Sequence, residues 1–178
     1  MKIGIDISQL AYERTGVANI VKNLVEQLEE IDKENEYILF YSSLRNPFQM
    51  SKLKIQNYNA KFKIKTFKMP PSLLDLLWNK LHVMPIENLI GDVDVFITSD
   101  WTEPPTKKAK KMTILYDLVV YKYPEETAEK IVETQKRKLK WVKKETDMIL
   151  CISEATKKDA MEILGIEENR LRIVYPGI

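Results

Sequence analysis

Arg170-Leu-Arg-Ile-Val-Tyr-Pro-Gly-Ile178 is the stretch on which the reading of this chain turns: an apolar strand, Leu171 to Tyr175, runs into Pro176-Gly177 and there the sequence stops. Proline with glycine after a strand marks a turn toward something further on. At the other end, Met1-Lys-Ile-Gly-Ile-Asp-Ile7 is a second apolar strand, followed by the turn Arg14-Thr-Gly16 and a helix. The two ends together predict an N-terminal α/β domain that finishes at a hinge to a partner domain.

Between those ends strands mostly alternate with helices. Val17, Val21, Leu24, Leu28 and Ile31 recur at three- and four-residue steps, with Lys22, Glu26, Glu29 and Glu30 opposite, so the spacing predicts an amphipathic helix capped by Thr15. Tyr37 to Tyr41 reads as the second strand, and Phe62 to Phe67, with its strict alternation, as a third at a sheet edge. Leu73 through Leu81 is helical by spacing and breaks at Pro85. Val93 to Ile97 and Met112 to Tyr116 read as the fourth and fifth strands, the latter reached through the lysine-rich turn Lys107 to Lys111. Pro124 opens a long helix to about Glu145. Met148 to Ile152 is the sixth strand, and Glu154 to Leu164 the next helix with Gly165 as its stop. This order predicts a Rossmann-like, doubly wound, mainly parallel sheet with helices on both faces, whose ligands collect at the C-terminal ends of the strands.

With 178 residues, 44% of them apolar, the chain fits a single domain spanning 1–178. Lys and Arg number 28 against 26 Asp and Glu, a formal charge of +2, so there is no global pull toward nucleic acid or anionic lipid. Cys151, the single cysteine, sits inside a strand and reads as a small buried residue; neither a disulfide nor a metal cluster is expected, which suits a reducing compartment. The start lacks the features of a signal peptide and no apolar run approaches the roughly 20 residues of a membrane span, so a cytoplasmic location follows as the expectation.

Three strand ends and one turn carry the polar groups of interest. Arg14, Thr15 and Gly16 lead into a helix whose N–H groups suit a phosphate, although Thr15 can equally be a simple cap and no GxGxxG fingerprint is present. The loop Thr98 to Pro105 brings Asp100, Trp101 and Glu103 to the fourth strand's end. Tyr116 and Asp117 end the fifth, and Ser153 and Glu154 the sixth, where Ser153 can instead only cap a helix. His82, alone of its kind, reads as packed or half-exposed and not as a catalytic base. No HExxH, CxxC or GxSxG motif occurs, and no bound metal is expected. The run Lys136 to Lys144, with Trp141, has two readings. Ile131, Val132, Gln135, Leu139 and Val142 form an inward stripe, which makes the lysines a solvated face; the alternative is weak peripheral contact with anionic lipid.

Taken in order, Gly4-Ile-Asp6, Arg14-Thr-Gly-Val17 with Asn23-Leu24, Asn35-Glu-Tyr37, Asp94-Val-Phe96 with Pro104-Pro105, Tyr116-Asp-Leu118 with Tyr123-Pro-Glu125, Ile152-Ser-Glu-Ala-Thr156 with Asp159, and Val174-Tyr-Pro-Gly177 resemble the N-terminal domain of family 4 glycosyltransferases. That group is retaining and has the two-domain GT-B fold. The resemblance implies transfer of a sugar from a UDP- or GDP-sugar to a carbohydrate or lipid-linked acceptor, with no cofactor and generally no divalent metal, in a cleft whose other wall is a C-terminal, donor-binding domain. It implies same-face attack in which the leaving diphosphate helps to take the acceptor proton, and a fragment that is inactive alone. Gly16 matches the family's glycine loop, although Ala18 and Asn19 stand where a second glycine and an arginine often follow. Tyr116 and Asp117 match a catalytic His-Asp pair, with tyrosine in place of the histidine that contacts the donor sugar. Ser153 and Glu154 match a Ser-Glu pair bordering the cleft, and Asp100 and Trp101 lie in the loop that faces the acceptor. The same strand order also suits a non-catalytic nucleotide- or sugar-binding module, or half of a sugar-nucleotide epimerase.

Overall fold

A computed structural model describes residues 1–12, 14–55 and 61–177, so Ile178, the last residue of the terminal stretch quoted above, lies outside them. Strands β1 (Lys2–Asp6), β2 (Glu36–Ser42), β3 (Phe62–Phe67), β4 (Val95–Thr98), β5 (Lys110–Leu115), β6 (Met148–Cys151) and β7 (Leu171–Ile173) make one sheet in the order β3-β2-β1-β4-β5-β6-β7. Every neighbouring pair is parallel. The order reverses between β1 and β4, and such a switch point leaves a crevice above the strand ends.

Both faces of the sheet are covered, as a parallel sheet requires. Along β2, Tyr37, Leu39 and Tyr41 point into one core with Val21 and Val25 of α1 (Gly16–Ile31), while Ile38 and Phe40 point into the opposite core with Leu74 and Trp78. Those two come from α2 (Pro71–Leu74) and from the π-helical turn Asp75–Lys80 that continues it. α3 (Glu87–Ile90) packs so closely on the sheet that only a glycine fits at position 4: a Cβ there would stand 2.6 Å from Phe96 Cδ2 and 2.9 Å from Ile90 Cδ1. A third core joins α4 (Val119–Lys122), α5 (Glu129–Glu145) and α6 (Glu154–Glu162) to β5, β6 and β7. Cys151 lies there, fully buried, its thiol pushed up to about 11 by burial. Gly165 ends the α6 segment with a φ of 63°, a conformation that costs glycine little.

Three expectations need correction. The segment after Pro124 is not one long helix. Pro124–Glu126 forms a single 3-10 turn, and α5 begins at Glu129, after Thr127 and Ala128 have taken extended backbone. α4, a one-turn helix between β5 and that turn, has too few residues to show a period. Lys111, placed by sequence in the lysine-rich turn before the fifth strand, is the second residue of β5 and is buried. Lys138, assigned to the solvated face of the basic run, is 2% exposed.

Candidate functional site

The crevice above the β1–β4 junction is built from strand ends. β1 delivers Asp6 and the 3-10 turn Ser8–Ala11; β4 delivers Ser99, Asp100 and Trp101; β5 delivers Tyr116 and Asp117. Thr15, at the N-cap of α1, accepts the Ala18 N–H at 3.2 Å, and the first helical backbone bond runs from Asn19 to Thr15 O. The N–H groups of Gly16 and Val17 therefore have no acceptor within the helix, and no acidic residue in the first turn offsets the positive end of its dipole. A Cβ at Gly16 would meet nothing within 4 Å, so the backbone there is open, beside Thr15 and Val17.

Two adjoining cavities occupy this region. The larger, about 700 Å³, runs between the α1 turn, α2 with its π-helical extension, and α5, with Thr15, Val17, Asp75, Trp101, Ile131 and Arg137 among its walls. The smaller, about 280 Å³, lies at the end of β5 and is lined by Tyr116, Asp117, Gln135 and Lys138 among others. Asp100, Trp101 and Ile131 belong to both, so the two form one continuous groove.

Beneath the groove is a layer of buried polar groups. Lys138 reaches from α5 under β4 and donates to the Ser99 carbonyl. Ser99 Oγ lies 2.6 Å from the Tyr116 hydroxyl, and Gln135 Nε2 donates to both Asp100 O and Asp100 Oδ1 at 3.1 Å. In the amide orientation that satisfies its neighbours, Gln9 donates to Asp6 O at 3.2 Å and accepts the Asp100 N–H at 3.3 Å, joining the ends of β1 and β4. Burial lifts the carboxyl groups of Asp6 and Asp100 above the usual range, an effect opposed in part by the Lys138 charge. Burial likewise depresses the Lys138 ammonium, opposed by Glu103, Asp100 and Asp6, and it raises the Tyr116 hydroxyl. Tyr116 is thus a neutral hydrogen-bonding group at any ordinary pH, and Lys138 is a cation whose charge acts on both Asp6 and Asp100.

The residues named from sequence divide into three groups. Thr15, Asp100, Trp101, Tyr116 and Asp117 line the groove, and Gly16 sits between two residues that do. Asp117 also accepts the Val119 N–H at 3.0 Å, which starts α4. Arg14, exposed and with a φ of 68°, is absent from the walls of both cavities. Ser153 and Glu154 stand at the neighbouring strand end, where Ser153 caps α6 by accepting the Thr156 N–H at 3.1 Å; neither lines the groove. Glu103 does not face a ligand: it is fully buried, accepts from Thr98 and Thr146 and pairs with Lys111 at 3.3 Å. His82 behaves as a packed residue, stacked on Trp141 with ring centroids 3.5 Å apart and bonded to Trp78 O and Glu145.

Sequence reasoning missed Gln9, Asp75, Arg137 and Lys138. Lys138 had a signal, because Gln135, Lys138, Leu139 and Val142 fall at 0, 3, 4 and 7 on one helix face, and a lysine inside a buried stripe is unusual. The Arg137–Asp75 pair at 2.8 Å joins elements 62 residues apart and had none. Among the described residues there is no group of three or more His, Cys, Asp or Glu placed to hold a metal ion.

Residues 14–178 match the family model for Glycosyltransferase Family 4. No curated protein matches the sequence. Among solved structures, a lipopolysaccharide outer core galactosyltransferase, WaaB, in its apo form matches with a TM-score of 0.52 at 15% identity, over 100% of this chain and 46% of its own. An alpha-glucosyltransferase in complex with UDP and a 13-mer DNA containing a central A:G mismatch matches at 12% identity with a TM-score of 0.43, over 100% of this chain and 41% of its own. The chain therefore spans less than half the length of either solved protein.

Proposed function

Because this chain belongs to glycosyltransferase family 4, we propose that its groove is the acceptor-side wall of a sugar-transfer site whose donor-binding wall lies on a second, C-terminal domain. The observation that carries the reading is the convergence of the α1 N-terminus, Asp100, Trp101, Tyr116 and Asp117 on one groove at the switch point of a parallel sheet. Ligands of such sheets sit there.

The donor is a nucleotide sugar, UDP- or GDP-linked, and no resident cofactor is required. The free N–H groups of Gly16 and Val17 and the uncompensated dipole of α1 favour negative charge, so this turn takes the diphosphate or an anionic acceptor. Tyr116 and Asp117 offer a hydroxyl and a carboxyl group at the small cavity, suited to hydrogen bonds with sugar hydroxyls. Trp101 lines both cavities, and a sugar or apolar acceptor packs against it. Transfer proceeds with retention, the acceptor oxygen attacking from the face the diphosphate leaves and giving its proton to that diphosphate. The groove orients the acceptor and stabilises charge on the departing phosphate. Without the donor-binding wall, this domain does not turn over.

The test is Gly16→Trp in the protein that carries both domains, with release of nucleoside diphosphate and glycosylated product measured together. Since a Cβ there meets no atom within 4 Å and the position is exposed, the variant is expected to fold, which its melting temperature checks, while transfer falls by about 10²-fold or more. Unchanged transfer removes the turn from the site.

A further inference from the structure

Ser99 is buried, 2% exposed, just past the end of β4 and beside Asp100. Side chains alternate along a strand: Thr98 Oγ1 bonds to Glu103 at 2.6 Å and to Thr113 at 2.7 Å, and the next side chain meets the Tyr116 hydroxyl with its Oγ at 2.6 Å. The backbone around Ser99 is gripped from two elements. Lys138 of α5 donates to its carbonyl and Gln135 of the same helix donates to Asp100 O at 3.1 Å, while Gln9 of the 3-10 turn accepts the Asp100 N–H at 3.3 Å. Tyr116 is held as well, because Thr156 of α6 donates to its carbonyl at 2.9 Å. A serine and a tyrosine fixed in this way keep their hydroxyls at bonding distance.

The two hydroxyls carry two hydrogens, and only one can lie between them. Among the described residues Ser99 Oγ has no other hydrogen-bond partner, whereas Tyr116 lines the small cavity. A buried hydrogen without an acceptor is costly, so the serine hydrogen goes to the tyrosine oxygen. The tyrosine's own hydrogen is then left over for the cavity. The electrostatics agree in sign: burial lifts the Tyr116 hydroxyl, the Ser99 bond opposes that rise as a donor to its oxygen does, and Asp100 and Asp6 add to the rise. Tyr116 therefore meets a ligand as a neutral donor, polarised by the serine behind it.

We propose that Ser99 is a positioning residue of the groove: it donates to Tyr116 and so directs the Tyr116 O–H to an oxygen of the sugar seated in the small cavity. That the ligand is a sugar rests on the transferase reading; the direction of the Ser99–Tyr116 bond does not. Ligands are thereby sorted by one atom, since an oxygen with a free lone pair satisfies the hydroxyl and an alkyl or ammonium group in its place does not.

The experiment is a double-variant cycle of Ser99→Ala and Tyr116→Phe, read in two ways. In melting of the chain, Ser99→Ala is expected to lower the midpoint little, because the Tyr116 hydroxyl turns to water in the cavity. Tyr116→Phe is expected to lower it more, because the Ser99 hydrogen is left buried without an acceptor, and the double variant to melt above Tyr116→Phe alone. In the two-domain protein, Ser99→Ala should lower kcat/KM by about five- to tenfold and should add no further loss in the Tyr116→Phe background. A double variant that melts below Tyr116→Phe, transfer losses that multiply, or transfer that Ser99→Ala leaves unchanged would each overturn the positioning role. Absence of transfer by the unaltered two-domain protein defeats the transferase reading instead, and the melting cycle then still decides the direction of the bond.

Discussion

Lys138→Met is the most informative single change in the molecule, because it removes one cation from under two carboxylates and leaves the shape of the site nearly intact. The wild-type ammonium, buried in α5, donates to the Ser99 carbonyl and opposes the desolvation of Asp6 and Asp100. Losing the hydrogen bond leaves a buried carbonyl short of a partner, at a cost of about 1 kcal/mol. Losing the charge costs more. Removing one member of a buried charge cluster typically destabilises by about 3–5 kcal/mol. An aspartate caps its own penalty by taking up a proton, and for one such group that cap is about 4 kcal/mol at pH 7. The expected loss at neutral pH is therefore about 4–5 kcal/mol, a large part of the roughly 10 kcal/mol that a domain of this size possesses.

The pH dependence distinguishes charge from packing. Both aspartates already have folded-state pKa values above 3.8, and the variant raises them further. A carboxyl group raised on folding favours the folded state at pH below its unfolded pKa, and that advantage disappears as pH climbs through the folded value. Relative to wild type, the variant should thus be weak at pH 7.5 and much less so near pH 4, where only the hydrogen-bond loss of about 1 kcal/mol remains. Urea unfolding at the two pH values reads this directly, as a midpoint lowered by about 2 M at the higher pH and by about 0.5 M at the lower. A Lys138→Met, Asp100→Asn double variant should recover much of the neutral-pH loss. An equal loss at both pH values, or one below about 1 kcal/mol at pH 7.5, would refute the electrostatic account.

Two further changes test the packing and the cap. Gly4→Ala puts a methyl group against Phe96 and Ile90, which are themselves fully buried and have nowhere to swing, so it should cost about 2–3 kcal/mol and lower the melting temperature; an unchanged melt would mean that α3 slides away without penalty. Ser153→Ala removes the α6 cap and should cost about 1 kcal/mol of stability while leaving transfer in the two-domain protein as it was; a fall in transfer with no loss of stability would move Ser153 from capping into the reaction.

What the sequence made legible is what local physics decides alone. β3 spans Phe62–Phe67 as its alternation indicates, Thr15 and Ser153 cap the helices that follow them, and Gly165 ends its helix. Each depends on residues within a turn or two of itself. The partition after Pro124 depends on more: the chain must turn from the end of β5 to the start of α5, and it does so through α4 and a 3-10 turn that are too short to leave a period. The π-helical turn is equally silent, because its Leu81 to Leu76 hydrogen bond answers to the packing of Trp78 and to the loop beyond. Naming residues by strand end reached Asp100, Trp101, Tyr116 and Asp117, which line the groove, but misjudged Glu103, three residues after Asp100 and buried the other way.

That misjudgement shows how the groove is kept rigid. Glu103 accepts from Thr98 on β4 and Thr146 beyond α5, pairs with Lys111 on β5, and donates its own N–H to Asn79 on the π-helical turn at 3.0 Å. Asn79 in turn donates to Trp101 O at 2.9 Å and to Asp75, the partner of Arg137. Glu103, through its buried carboxylate and its own N–H, therefore fixes the Trp101 loop relative to the π-helical turn, the end of α5 and two strands. A fully satisfied buried network of this kind holds one arrangement against alternatives. The loop can place Asp100 and Trp101 in the groove because the acid next to them faces inward. A ligand that displaces the Trp101 backbone would have to break or carry with it the Asn79 bond that joins this loop to the π-helical turn.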